Sequence, residues 1–254
     1  MLSVVQAEPS HGDYAAERLR GTVWERSGFA HFAYRSCMAV GSAFGRVGIT
    51  PNMLTVGSLL IATVAAVTAS MKLFVATAIV VVLSGTLDVL DGVVARATGR
   101  VTRFGALLDS TVDRLADGLP LLGLIVAYSD HGVLVAVPAV AMLGAFGISY
   151  VRARAESLGA RLPPLFMRRA ERVTLLTLSL LLSGVPVVAP VRAPLLLAGV
   201  ALMGVLNLAA TFWALRASYL ALNLEDSSAG LQGPMAPGDT VSALDALDVK
   251  ASAR

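Results

Sequence analysis

Long apolar runs separated by short polar ones dominate the chain. Six of them stand out, at 51–71, 73–96, 104–128, 132–154, 172–191 and 194–216. Each is close to the roughly twenty residues that an α-helix needs to cross a bilayer. The pattern predicts an all-α integral membrane protein with six transmembrane helices. Thr50 is placed to cap the first helix, Pro51 suits its first turn, and Pro190 and Pro194 mark the last hairpin. Residues 24–48 read differently. Apolar and polar positions alternate there at near-helical spacing, and Trp24, Phe29, Phe32, Tyr34 and Phe44 are concentrated among them. This predicts an N-terminal amphipathic helix lying in the membrane interface, with a helix packed on the bundle as the plainer alternative. Residues 1–23 lack the basic start and long apolar core of a signal peptide and read as a solvated arm. Residues 221–254, rich in Ser, Gly, Ala, Asp and Pro, have little to bury and read as a disordered tail, leaving a six-helix domain at 49–220.

Composition agrees. Of 254 residues 56% are hydrophobic and 15% charged, and the mean hydropathy is +0.74, whereas soluble domains sit near 45–50% and about 25%. The single cysteine, Cys37, excludes a disulfide framework and a cysteine-based zinc site. Basic residues set the orientation. Arg18, Arg20, Arg26, Arg35 and Arg46 precede the first span. Arg96, Arg100 and Arg103 lie at the second-to-third connection, and Arg152, Arg154, Arg161, Arg168, Arg169 and Arg172 at the fourth-to-fifth. The other side shows Lys72 and Arg192. Both termini and the long basic connection are therefore expected in the cytoplasm.

Against this background four acids stand out: Asp88, Asp91, Asp109 and Asp113. A carboxylate near the bilayer centre costs roughly 2.5–3.5 kcal/mol, so four unpaired ones would cost roughly 10 kcal/mol. Asp88 and Asp91 are three apart, Asp109 and Asp113 four apart, so each pair shares a helix face. The short ATGRVTRF connection predicts antiparallel neighbouring helices whose carboxylates converge near the cytoplasmic end. Oxygen ligands without His or Cys select a hard divalent cation, Mg²⁺, Mn²⁺ or Ca²⁺. Gly92, Gly105 and, more weakly, Ala95 remove bulk where a ligand would lie against backbone, although close helix packing also uses small residues. Arg96 suits a phosphate or an aspartate.

The run Asp88-VL-Asp91-Gly92-VV-Ala95-Arg96-ATGRVTRF-Gly105-ALL-Asp109-STV-Asp113 resembles, at every fixed position, the signature of the CDP-alcohol phosphatidyltransferase family. The turn Thr50-Pro51-Asn52-Met53-Leu54-Thr55 looks like the one that opens the family's first span. The resemblance implies a membrane enzyme that binds a CDP-linked lipid, CDP-diacylglycerol, at the cytoplasmic surface and releases CMP. It implies a metal site of Asp88, Asp91 and Asp109, with Asp113 as general base and contact to a second ion, so Mg²⁺ or Mn²⁺, two ions in all. It further implies a donor pocket of Asn52, Thr55, Asp88, Gly92, Ala95, Arg96 and Gly105, and often a homodimer, for which Ala198, Ala201 and Gly204 offer one small-residue face, although packing within the bundle explains that face equally well. Arg114 and Asp117, following Asp113 on the same helix, are expected to pair behind the site, or Asp117 to assist an ion.

The acceptor alcohol is read from arginines. SYVRARAE at the end of the fourth span and the RRAER element that follows resemble family members that use inositol phosphate. On that resemblance Arg152, Arg154, Arg169 and Arg172 form a phosphate pocket for a small phosphorylated polyol; positive-inside topology explains the same residues more plainly. Glycerol-3-phosphate is the main competing acceptor. A small cation or proton transporter is the competing class, but it predicts carboxylates spread through the membrane depth and an internal repeat, neither of which the sequence shows.

Overall fold

The computed structural model describes residues 38–160, 162–163, 165–184 and 193–231, with side chains to Asn223. Six long helices carry most of it: α1 Pro51–Ser70, α2 Phe74–Ala97, α3 Arg103–Ala127, α4 Ala136–Ser157, α5 Arg169–Leu182 and α6 Pro194–Leu231. A 3₁₀ turn, Gly132–Val135, precedes α4, and no strand occurs among the described residues. Among the described residues, four segments are long and apolar enough to cross a membrane: Pro51–Ser70, Phe74–Ala97, Gly132–Ser157 and Pro194–Asn223. The chain is an integral membrane protein. In α3 the half nearer the α2–α3 turn carries Asp109, Asp113, Arg114 and Asp117, and in α5 the described helix is 14 residues long. The expected fifth span began at 172; the helix instead starts at Arg169, because the Glu171 carboxylate accepts the Arg168 backbone N–H at 3.0 Å and closes the first turn. Residues 185–192, the expected end of that span, lie outside the described residues.

Local signals set the helix starts. The Thr50 hydroxyl accepts from the Met53 N–H at 3.3 Å, with Pro51 in the first turn. Thr102 caps α3 by accepting from the Gly105 N–H at 3.0 Å. Gly99, at φ +65°, supplies the left-handed residue between α2 and α3.

α1 is the keystone of the site end. It packs along both α2 and α3, whereas α2 and α3 touch each other at few points. The expected close pairing of α2 and α3 is thus replaced by a wedge, which leaves room between their acidic faces. Beyond Leu54 and Thr55 the buried face of α1 is small: Ser58, Ala62, Ala65 and Ala69. Small residues let helix backbones approach where lipid supplies no hydrophobic drive. The Ser84 hydroxyl donates to the Ser58 carbonyl at 2.8 Å, tying α2 to α1. On the other side of the bundle α4 lies on α6, where Asn207 Nδ2 donates to the Ala141 carbonyl at 3.0 Å. Gly204 packs on Ala141 inside this bundle, while Ala198 and Ala201 are exposed.

Of the proposed interfacial helix, residues 24–37 lie outside the described residues. Residues 38–46 are helical, and Gly41 and Gly45 press on Val93, Ala97 and Thr98 at the end of α2. The arm 1–23 and residues 232–254 of the tail also lie outside the described residues.

A Cβ on Gly123 of α3 would stand 2.2 Å from the Ala66 carbonyl oxygen of α1. Backbone cannot yield as a side chain can. Gly123→Val should therefore destabilise the protein by about 2 kcal/mol, read as a lower thermal midpoint in detergent; an unchanged midpoint would show that α1 and α3 are not this close.

Candidate active site

The acidic faces of α2 and α3 meet at the end of the bundle formed by the α2–α3 turn. Ligand oxygens of Asp88, Asp91 and Asp109 lie within 4.8 Å of one another. Asp88 and Asp91 are buried, at 8% and 5% exposure. The Thr55 hydroxyl of α1 donates to Asp91 Oδ2 at 2.5 Å and fixes that carboxylate. Asp113, one turn beyond Asp109, sits next to this trio. It faces Arg169, whose Nη1 is 2.6 Å from Asp113 Oδ1.

The arginine–aspartate contacts extend further back. Arg169 Nη1 also contacts Asp88 Oδ2, and Arg169 Nε lies 3.3 Å from Asp117 Oδ1. The other Asp117 oxygen takes Arg172 Nε at 3.1 Å and Nη2 at 2.5 Å, while Arg172 Nη1 donates to the Met167 carbonyl at 2.8 Å. Arginine stays protonated in proteins. Among the described residues, three of the five carboxylates, Asp88, Asp113 and Asp117, are in direct ion pairs with two guanidinium groups, Arg169 and Arg172, while Asp91 and Asp109 stand beside them without one. Fully ionised, the cluster carries three surplus negative charges in a largely dry place. Asp88 Oδ1 is buried and makes no hydrogen bond. An all-oxygen trio with an uncommitted buried oxygen and surplus negative charge fits a divalent cation.

Two cavities flank the cluster. One, of about 280 Å³, is lined by Asn52, Thr55, Asp91, Gly92, Ala95, Arg96, Gly105 and Asp109, with Pro51, Arg100, Val101, Thr102 and Ala106. Every residue expected at the donor pocket is here except Asp88, which stands behind with the trio. The glycines matter as surfaces. A Cβ on Gly92 would come 3.2 Å from Arg96 Nη1, and one on Gly105 would come 2.9 Å from Thr102 Oγ1 and 3.5 Å from Asn52 Oδ1.

The other cavity, of about 470 Å³, lies between α3, α4 and the start of α5. Asp113 lines it together with Arg114, Ser149, Arg152, Glu156, Arg168, Arg169 and Arg172. Of the four arginines expected at an acceptor phosphate, Arg152, Arg169 and Arg172 reach this wall. Arg154 is exposed, near the Ser157 hydroxyl, and does not line it. Arg152 pairs with Glu156 at 2.9 Å, both about half exposed. Arg172 is buried at 7% exposure. Two arginines not singled out as ligands also line the wall: Arg168, whose signal was its place just before the helix start, and Arg114, whose Nη2 donates to the Ser149 carbonyl at 3.5 Å.

The sequence pattern of CDP-alcohol phosphatidyltransferase matches residues 48–217, a stretch that contains both cavities and the whole carboxylate cluster. The chain belongs to the CDP-alcohol phosphatidyltransferase family. It is 34% identical over 151 residues to the archaetidylinositol phosphate synthase of Pyrococcus horikoshii, covering 58% of this chain and 78% of the relative. It is 37% identical over 153 residues to the phosphatidylinositol phosphate synthase of Mycobacteroides abscessus, covering 57% and 68%. The crystal structure of Mycobacterium tuberculosis phosphatidylinositol phosphate synthase (PgsA1) with CDP-DAG bound superposes with a TM-score of 0.65 at 30% identity, over 73% of this chain and 94% of that one. The same enzyme in complex with manganese and citrate gives 0.66 at 32%, over 72% and 88%. The transferase thus carries a carboxylate cluster suited to a divalent metal, within a fold whose solved relative holds manganese.

Among the described residues, Thr55 is the one hydroxyl that holds a carboxylate of the trio. Thr55→Val should weaken Mn²⁺ binding about tenfold, measured by electron paramagnetic resonance of free Mn²⁺; unchanged affinity would mean that Asp91 is oriented without it.

Proposed function

We propose that this transferase moves the phosphatidyl group of CDP-diacylglycerol to a hydroxyl of inositol phosphate and releases CMP. One observation carries the reading: a single carboxylate cluster forms a shared wall between two cavities of different character. Asp91 and Asp109 face the smaller cavity with its glycines, and Asp113 faces the arginine-lined one. A donor and an acceptor bound on the two sides would meet at the aspartates. The relatives' names, synthases of archaetidylinositol phosphate and phosphatidylinositol phosphate, favour inositol phosphate over glycerol-3-phosphate.

In this reading Asn52, Gly92, Ala95, Arg96 and Gly105 receive the cytidine diphosphate, with Arg96 beside the phosphates. Asp88, Asp91 and Asp109 hold a divalent cation, Mg²⁺ or Mn²⁺, and Asp113 contacts a second. Bound there, the metal neutralises the diphosphate and makes CMP a better leaving group. Arg152, Arg168 and Arg169 hold the acceptor's phosphate. Asp113 takes the proton from the acceptor hydroxyl. The hydroxyl oxygen attacks the lipid-linked phosphorus, the bond from that phosphorus to the bridging oxygen breaks, and CMP leaves with that oxygen. No covalent enzyme intermediate is required.

The same reading places the site at the cytoplasmic face of the inner membrane, because the basic connections lie at the site end. α3 and α5 complete six transmembrane helices in a domain spanning 49–220, with residues 24–48 lying in the interface between an arm at 1–23 and a tail at 221–254. A homodimer is part of the reading, as the family resemblance implies.

Purified protein with Mn²⁺ and CDP-diacylglycerol should release CMP when inositol phosphate is added, and far less with glycerol-3-phosphate, inositol or serine. Release with another acceptor alone would keep the transferase and discard inositol phosphate. Asp113→Asn should lower kcat by at least about 100-fold while Mn²⁺ still binds; near-normal turnover would remove Asp113 as the base.

A further inference from the structure

Asp117 lies outside the family signature and one helical turn deeper than Asp113. Its side chain is 7% exposed, and its two oxygens are divided between two arginines. Oδ1 takes Arg169 Nε, and Oδ2 takes Arg172 Nε and Nη2. Arg172 is committed in turn, because Nη1 donates to the Met167 carbonyl at 2.8 Å. Met167 is buried and held at φ +57°, a left-handed conformation that costs a non-glycine residue about 1–3 kcal/mol and persists only where its surroundings enforce it. Asp117, Arg172 and the Met167 carbonyl therefore form a buried brace that pins the residues leading into α5. Arg169 stands on that brace. With Nε on Asp117, its guanidinium is presented edge-on to Asp88 and Asp113, at the line where the carboxylate cluster meets the arginine-lined cavity.

We infer that Asp117 is a positioning residue that acts through Arg169. It draws part of that guanidinium's charge away from Asp88 and Asp113 and sets the plane in which Arg169 faces the acceptor. Arg172 serves as the counter-ion that fixes Asp117, and is not a phosphate ligand. The acceptor part of this inference rests on the reading given under Proposed function; the effect on the cation does not. Without Asp117 the whole Arg169 charge falls on the carboxylates that would hold a cation, and the two compete for Asp88.

The test is a double-mutant cycle of Asp117→Asn and Arg169→Gln, read on Mn²⁺ affinity without any substrate. Asp117→Asn should weaken Mn²⁺ binding about tenfold. Arg169→Gln should tighten it, because a competing cation is removed from Asp88. The double variant should bind as Arg169→Gln does, since Asp117 has lost the group it acts through. Additive effects, or no effect of Asp117→Asn, overturn the inference whatever the acceptor proves to be. With inositol phosphate as acceptor, Asp117→Asn should raise the acceptor KM about tenfold and leave the CDP-diacylglycerol KM within about twofold; equal rises in both overturn the positioning role. Should Asp117→Asn fail to fold, Asp117→Glu keeps the charge while displacing the carboxylate. It should show the same split between the two KM values at smaller size, and a wild-type acceptor KM would overturn the inference. If Mn²⁺ binding follows the cycle but no CMP forms with inositol phosphate, the acceptor assignment fails and the brace stands.

Discussion

Negative charge held out of water is the constraint on which the rest of this structure depends. Five aspartates occupy one end of a helical bundle, and among the described residues two arginines pair directly with three of them, Asp88, Asp113 and Asp117. In a medium that solvates ions poorly, such a surplus persists only where cations complete it. The packing around it follows. α1 wedges against both α2 and α3 so that their acidic faces approach without closing, and the small residues on α1 permit that fit.

From this one charge cluster the two cavities take their meaning. The smaller is bounded by glycines, an alanine and Arg96, which suits a flat, phosphate-bearing group lying against backbone. The larger is walled by arginines and opens past Asp113. The acids stand where ligands on the two sides would meet. Much of catalysis in phosphoryl-type transfers is positioning and charge neutralisation, so a scaffold that presents both cavities to one cluster needs little further chemistry.

Much of this was legible in the chain. Apolar runs of about twenty residues placed α1, α2 and α6 starts within a few positions, because a bilayer enforces length. Fixed spacing put Asp88, Asp91, Asp109 and Asp113 at one end, and the positions expected to receive a donor, all but Asp88, line one cavity. Contacts across the fold were less legible. The ion pair of Asp117 with Arg172 joins positions 55 apart, and no periodicity within either helix announces it. The wedge of α1 between α2 and α3 depends on three-body packing, which a short connection does not specify. Arg154 is instructive in the opposite way. Residues two apart on a helix point roughly 200° apart, so Arg152 and Arg154 could not both face one cavity squarely; the density of charge in the loop obscured a simple angular argument.

The most direct measurement is the position of anomalous scattering from Mn²⁺ in crystals grown with CDP and inositol phosphate. Manganese is expected among Asp88, Asp91 and Asp109, CDP in the cavity of Asn52, Gly92 and Arg96, and inositol phosphate beside Arg152, Arg168 and Arg169. Manganese away from that trio, or both ligands in one cavity, would contradict this placement.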